Sequence, residues 1–172
     1  IDKDYCIECY KCVDACGARQ AINFEQQPEE VELEVGAIIV STGYDIYLPY
    51  DNSLYGYGKY INVITSLEFE RLILAAGPTG GKVVKASDGQ KPHSVAFIQC
   101  VGSRDTSKFQ YCSNFCCMYT LKHVVQLKEK YKEDVEVYVF YMDMRSNFKG
   151  YEEFYQRARE LGVNFVRGRV SR

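Results

Sequence analysis

The sequence has no long apolar run. Its most hydrophobic stretches, such as Gly36-Ala37-Ile38-Ile39-Val40, are strand-sized, so no transmembrane segment is expected. No block of one charge stands out: 21 basic residues meet 23 acidic ones, for a formal net charge of −2. That balance excludes general affinity for a nucleic-acid backbone, so no nucleic-acid partner is expected. There is no signal peptide, and because the chain opens on Ile1 rather than Met a fragment of a longer protein is expected. Internal repeats and low-complexity tracts are absent. No G-x-G-x-x-G follows a strand-like segment; Gly77-Pro78-Thr79-Gly80-Gly81 comes after a helix and reads as a turn. Cysteine, finally, is missing from more than eighty consecutive residues between Cys16 and Cys100.

What is present is one ordinary domain's worth of chain plus a small appendage, 172 residues with a 47% apolar share that can bury a real core. The eight cysteines fall into two tight groups on either side of that gap. Small secreted disulfide proteins are shorter and poorer in core residues. Grouped cysteines in a chain of this size point instead to metal binding or redox chemistry in a reducing compartment, with the cytoplasm as the expected location.

Residues 1–30 are polar and end in Gln26-Gln27-Pro28-Glu29-Glu30, a domain boundary. Val31-Glu32-Leu33-Glu34-Val35 alternates and predicts a half-exposed strand; Gly36-Ala37-Ile38-Ile39-Val40 predicts a buried one, stopping at Ser41-Thr42-Gly43. Residues 44–62 read as a loop. Thr65-Ser66-Leu67-Glu68 is a capping box, starting a helix that Gly77-Pro78 ends. After a further loop, residues 94–99, 135–141 and 163–166 read as strands, and 114–131 and 150–161 as helices. The fold class expected is α/β, with a parallel, Rossmann-like sheet.

Cys6, Cys9, Cys12 and Cys16 spell C-x2-C-x2-C-x3-C, the bacterial ferredoxin run. A tight loop with this spacing aims three thiolates at one cubane, while the fourth, a helical turn on, faces another. Ala21-Ile22-Asn23-Phe24 is expected as the short strand beneath the loop. Zinc is the plainer alternative, although structural zinc sites favour two separated cysteine pairs.

Cys100, Cys112, Cys116 and Cys117 follow C-x11-C-x3-C-C, no standard ferredoxin spacing. Cys100 ends the first strand of the Rossmann-like unit and the others span the start of its first helix. That is where α/β sheets place ligands. Ser113 or Asn114 is expected to cap the helix, whose free amides suit an anionic iron–sulfur cluster. Two other readings stay open: a redox dithiol built from Cys112, Cys116 and Cys117, or inert buried cysteines.

Longer motifs now carry a resemblance. Gly36-Ala37-Ile38-Ile39-Val40-Ser41-Thr42-Gly43, Val63-Ile64-Thr65-Ser66-Leu67-Glu68-Phe69-Glu70-Arg71 and Gly77-Pro78-Thr79-Gly80-Gly81 resemble the A subunit of heterodisulfide reductase. So do Phe97-Ile98-Gln99-Cys100-Val101-Gly102-Ser103-Arg104-Asp105, Tyr111-Cys112-Ser113, Cys116-Cys117-Met118-Tyr119 and Gly150-Tyr151-Glu152-Glu153-Phe154-Tyr155. The resemblance covers essentially the whole chain and corresponds to a middle segment of that subunit. It implies a thioredoxin-reductase-like flavoprotein with FAD and several [4Fe-4S] clusters, active in electron bifurcation. Residues 1–30 would be part of a ferredoxin-like segment, 31–92 the remainder of an FAD-binding domain with its connecting helix and loops, and 93–172 a Rossmann-like unit. The resemblance implies that Cys100, Cys112, Cys116 and Cys117 ligate a non-standard [4Fe-4S] cluster near the flavin. Ser41, Thr42 and Gly43 would contact FAD, with the pyrophosphate loop and a second ferredoxin run lying upstream. Implied partners are the rest of the polypeptide, the other reductase subunits and an electron-donating hydrogenase or dehydrogenase. The chain departs from the ferredoxin pattern at Gly17, where a proline is usual, and in a tyrosine-rich loop from Tyr44 to Tyr60.

The remaining candidates read as ordinary. His93 is expected in solvent, and His123 at the surface or satisfied in the core rather than as a ligand. Lys122 reads as a solvated helix residue. Arg104 and Asp105 flank the Cys100 loop, either tuning a cluster from one layer out or pairing with each other in a turn.

Overall fold

The structure is a computed structural model and describes residues 4–51 and 54–170. It divides into two units, Ile1–Tyr44 and Asp45–Arg172.

In the first unit, the helix α1 (Lys11–Cys16) carries Cys12 and Cys16 and runs into a 3-10 turn, Gly17–Arg19. Residues 21–24 form no strand, contrary to expectation, yet the chain does fold back: the Phe24 ring packs 4.9 Å from that of Tyr10. Neither strand expected over residues 31–40 is present. A strand exists only by pairing, and no described segment pairs with this one. Ile38, Ile39 and Val40, expected in a core, are 82%, 89% and 77% exposed.

The second unit opens with loops and a 3-10 turn at Pro49–Asp51, as the Tyr- and Gly-rich composition predicts; residues 52 and 53 of that loop lie outside the described residues. The helix α2 (Ser66–Ile73) starts on the expected capping box. The Thr65 amide donates to Glu68 Oε2 at 2.6 Å and the Glu68 amide to Thr65 Oγ1 at 3.3 Å. The helix ends at Ile73, ahead of the Gly77-Pro78 stop, because the chain turns back on itself. A side chain at Gly77 would meet the Arg71 carbonyl oxygen at 1.9 Å, so only glycine fits that turn.

Three parallel strands follow, β1 (Ser94–Ile98), β2 (Glu136–Tyr141) and β3 (Asn164–Arg167), in the spatial order β1-β2-β3. Val95 sits opposite Val137, and Val139 opposite Phe165. The crossovers run through α3 (Cys116–Tyr131) and α4 (Tyr151–Glu160), which pack against each other. The α/β class and the helix–strand alternation therefore stand as the sequence predicts.

The core forms where α3 and α4 meet one face of the sheet. Val135, Val137 and Val139 alternate inward, as a strand's two-residue period requires. Against them lie Leu121, Val124 and Leu127 of α3 and Ala158 of α4, all essentially buried. The intervening residues, Glu136, Tyr138 and Phe140, point away and are exposed or half-buried. For the same reason β1 is not the buried strand expected: Val95 and Phe97 pack partly on the core, while Ala96 is exposed. Among the described residues, no helix is long and apolar enough to cross a membrane.

Candidate metal centre

The second cysteine group sits at the carboxyl edge of this sheet. Cys100 lies two residues beyond β1, whose pairing with β2 continues through the Gln99 amide onto the Phe140 carbonyl at 3.0 Å. Cys116 and Cys117 open α3, and both are buried; Cys100 and Cys112 are half-buried. All four are free thiols.

Neither Ser113 nor Asn114 caps α3, contrary to expectation; the cap position is Phe115, with no side-chain hydrogen bond. Sulfur takes the donors instead. The Ser113 hydroxyl donates to Cys116 Sγ at 3.4 Å, and the Asn114 amide to Cys112 Sγ at 3.3 Å. The Arg145 backbone N–H, from the loop after β2, donates to Cys117 Sγ at 3.4 Å. The positive charge of the Arg104 guanidinium acts on the Cys100 thiol. Three of the four sulfurs thus accept from an N–H or O–H group and a cation acts on the fourth, the environment of an electron-rich sulfur.

The sulfurs also feel one another. Burial pushes the Cys100 thiol up, the neighbouring Cys116 and Cys112 sulfurs push it the same way, and Arg104 pulls it down. The hydrogen bond from Cys117 draws the Cys116 thiol below the ordinary thiol range; burial opposes this, and the Ser113 hydroxyl and helix-start amides support it. Its partner Cys117 is pushed up by that same bond and by burial.

Backbone conformation marks the same place. Cys100, Arg104 and Asn114 have φ of 60°, 56° and 62°, a left-handed region that residues with side chains disfavour at about 1–3 kcal/mol each. Gly102, between two of them, has φ 72°, and a Cβ there would strike the Tyr47 ring at 2.3 Å. The loop is held in a costly shape that keeps Cys100 and Arg104 facing the α3 start.

In the first unit, Glu8 and Tyr10 share the left-handed conformation, with φ of 49° and 57°. They bend the chain between Cys6, Cys9 and Cys12. Cys9 and Cys12 are exposed, Cys6 and Cys16 half-buried, and the Ala21 amide donates to Cys16 Sγ at 3.2 Å. Ser41, Thr42 and Gly43 lie outside any helix or strand and are exposed, and Gly43, at φ 82°, has open space where a Cβ would stand. Among the described residues no three His, Cys, Asp or Glu side chains converge on a point fit for a single metal ion.

Other sequence candidates find different places. His93 is exposed, as expected. His123 is 2% exposed, and its Nε2 meets Glu70 Oε2 at 2.5 Å, while Phe69 and Phe97 pack around its ring. Lys122 is not merely solvated: its Nζ bonds both Glu70 oxygens, at 2.6 and 2.8 Å. Arg104 and Asp105 do not pair with each other. Arg104 Nη1 bonds Asp143 Oδ1 at 2.6 Å, whereas Asp105 accepts from Ser107 and pairs with Arg169. Sequence reasoning missed Asp143 and Arg145. Their signal was there to read, as charged residues just past the second parallel strand, where open α/β sheets bind ligands.

Comparison with known proteins decides the relationship. No family model matches the chain. Over 171 residues, 98% of its length, it is 56% identical to the A subunit of the H2:CoB–CoM heterodisulfide,ferredoxin reductase of Methanothermobacter thermautotrophicus. This chain is a relative of the heterodisulfide reductase A subunits. It is also 54% identical, over 98% of its length, to the iron-sulfur A subunit of the CoB–CoM heterodisulfide reductase of Methanocaldococcus jannaschii. With the A subunit of a Methanosarcina acetivorans enzyme, named as a ferredoxin/F420H2-dependent CoB–CoM heterodisulfide reductase, identity is 51% over 99% of the chain. The chain spans about a quarter of the length of these relatives, 26%, 26% and 21% respectively. All three are oxidoreductase subunits by name, and one is named for iron–sulfur content.

Proposed function

We propose that this chain is an electron-transfer segment of a heterodisulfide reductase A-type iron–sulfur flavoprotein, working within a larger polypeptide and complex. The observation that carries this reading is the second cysteine group: four cysteines at the carboxyl edge of a parallel sheet, three of whose sulfurs accept a hydrogen bond. Cys100, Cys112, Cys116 and Cys117 would hold a non-standard [4Fe-4S] cluster. Cys6, Cys9, Cys12 and Cys16 would serve a ferredoxin-like segment, and Ser41, Thr42 and Gly43 would approach FAD. The parallel sheet would be the remnant of a Rossmann-like, thioredoxin-reductase-like domain. When bound, the clusters supply one-electron carriage and FAD interconverts one- and two-electron chemistry, the basis of bifurcation.

The chain's own residues do the rest. The α3 start and the Arg145 amide hold the sulfurs in donor-rich surroundings, and burial of Cys116 and Cys117 keeps water from them. Partners on this reading are the other reductase subunits and a hydrogenase or dehydrogenase that supplies electrons in the cytoplasm, consistent with the H2, ferredoxin and F420H2 in the relatives' names.

Iron and acid-labile sulfide analysis of the anaerobically purified full-length protein, with EPR after dithionite, tests the proposal. Iron-free, colourless protein would end it. Cys117→Ala is expected to abolish one cluster signal and spare the others; unchanged spectra would remove the second site. A rival reading has one observation in its favour, the hydrogen-bonded thiols of Cys116 and Cys117 at a helix start. Metal-free protein with rapidly titrating thiols at these positions would turn the assignment to a thiol–disulfide oxidoreductase, and zinc without an EPR signal to an interaction module.

A further inference from the structure

Arg104 occupies an unusual position for a loop arginine. It follows Cys100 by four residues, stands in a left-handed backbone conformation, and its side chain is only 23% exposed. Its guanidinium bonds Asp143 at 2.6 Å, and its charge acts on the Cys100 thiol. Asp143 Oδ1 also accepts from Arg145 Nε at 3.2 Å, and the Arg145 amide lies on Cys117 Sγ. The loops after β1 and β2 are thereby joined in a ring of polar contacts that reaches the last cysteine of the group. Two guanidinium groups share one carboxylate, so the ring carries a net positive charge.

A turn that only needed an ion pair had Asp105 next to Arg104 in sequence, yet Asp105 is engaged with Ser107 and Arg169. The carboxylate that Arg104 uses comes from 39 residues away, on the same loop whose Arg145 amide bonds the Cys117 sulfur. We propose that Arg104 is a positioning residue that raises the reduction potential of the cluster held by Cys100, Cys112, Cys116 and Cys117, with Asp143 fixing its guanidinium beside the cysteine group. This rests on the cluster reading above.

The physical reason is the charge change. Reduction adds one electron to the cluster and so one negative charge, shared with its sulfur ligands. A fixed positive charge beside those sulfurs stabilises the reduced form more than the oxidised form. Removing it shifts the equilibrium toward the oxidised cluster.

EPR-monitored redox titration of the full-length protein, with dithionite as the electron source, tests this on the signal that Cys117→Ala removes. Arg104→Gln is expected to retain iron content and shift the oxidised/reduced equilibrium at least tenfold toward the oxidised cluster, a fall of about 59 mV for one electron. Arg104→Lys keeps the charge without the forked donor and should fall between the two. An unchanged or raised midpoint in Arg104→Gln overturns the proposal. So does loss of the cluster from both variants, which would make Arg104 an assembly residue. Absence of the signal from the unmodified protein is a separate result, and it would overturn the cluster reading itself.

Discussion

Around the second cysteine group, the donors to sulfur come from a hydroxyl and two backbone amides, and these differ in what substitution can do to them. The Arg145 contact to Cys117 belongs to the main chain. Arg145→Ala should therefore leave it in place while taking one positive charge out of the ring with Arg104 and Asp143. Arg145→Pro removes the donor as well, a loss of about 1.5–3 kcal/mol if the acceptor is a charged thiolate. The midpoint of the second cluster is expected to fall further in the proline variant than in the alanine variant; equal behaviour of the two would count against the contact. The cysteines themselves were legible from spacing alone. Asp143 and Arg145 were legible only as charged residues past a parallel strand, because their particular pairings with Arg104 and Cys117 are made between neighbouring strands' loops. Ser113 and Asn114 were misread because the helix begins at Cys116, which puts Phe115 and neither polar residue at the cap position.

At the scale of elements, α2 and α3 are tied by a polar contact inside an aromatic surround. Burial holds the His123 imidazole below its ordinary range; the Glu70 carboxylate pulls the other way and is outweighed, and Lys122 adds to the lowering. Glu70 is itself held low, first by its bond to Lys122 and then, against burial, by His123. A depressed histidine binds its proton less readily folded than unfolded, so the stability it allows is complete above the ordinary imidazole value of about 6.5 and is lost as pH falls through the lower folded value. The lowered carboxylate acts in the same direction at more acid pH. The melting temperature is expected to drop as pH is lowered from 7.5 towards 5, and His123→Phe should flatten that slope. A wild-type profile flat across this window would contradict the assignment. The helices and strands of Asp45–Arg172 could be read because capping box, glycine stops and alternation are local signals. Residues 31–40 could not, since an apolar alternating run says only that a strand is possible, and the ladder must come from elsewhere. The burial of β1 was overstated on similar grounds: a continuous apolar run implies two covered faces, and the described helices cover one.

For the whole molecule, the exposed Ile38, Ile39 and Val40 have a bearing on handling. These three consecutive apolar residues lie outside any helix or strand, and a net charge of −2 on 172 residues offers little mutual repulsion between copies. A polypeptide of these 172 residues, expressed by itself, should therefore be colloidally unstable, with light scattering that grows with concentration and with the fluorescence of a β-binding dye. Ile39→Lys places a gatekeeper charge in the middle of the row and is expected to suppress both signals; scattering that ignores the substitution would locate the stickiness elsewhere.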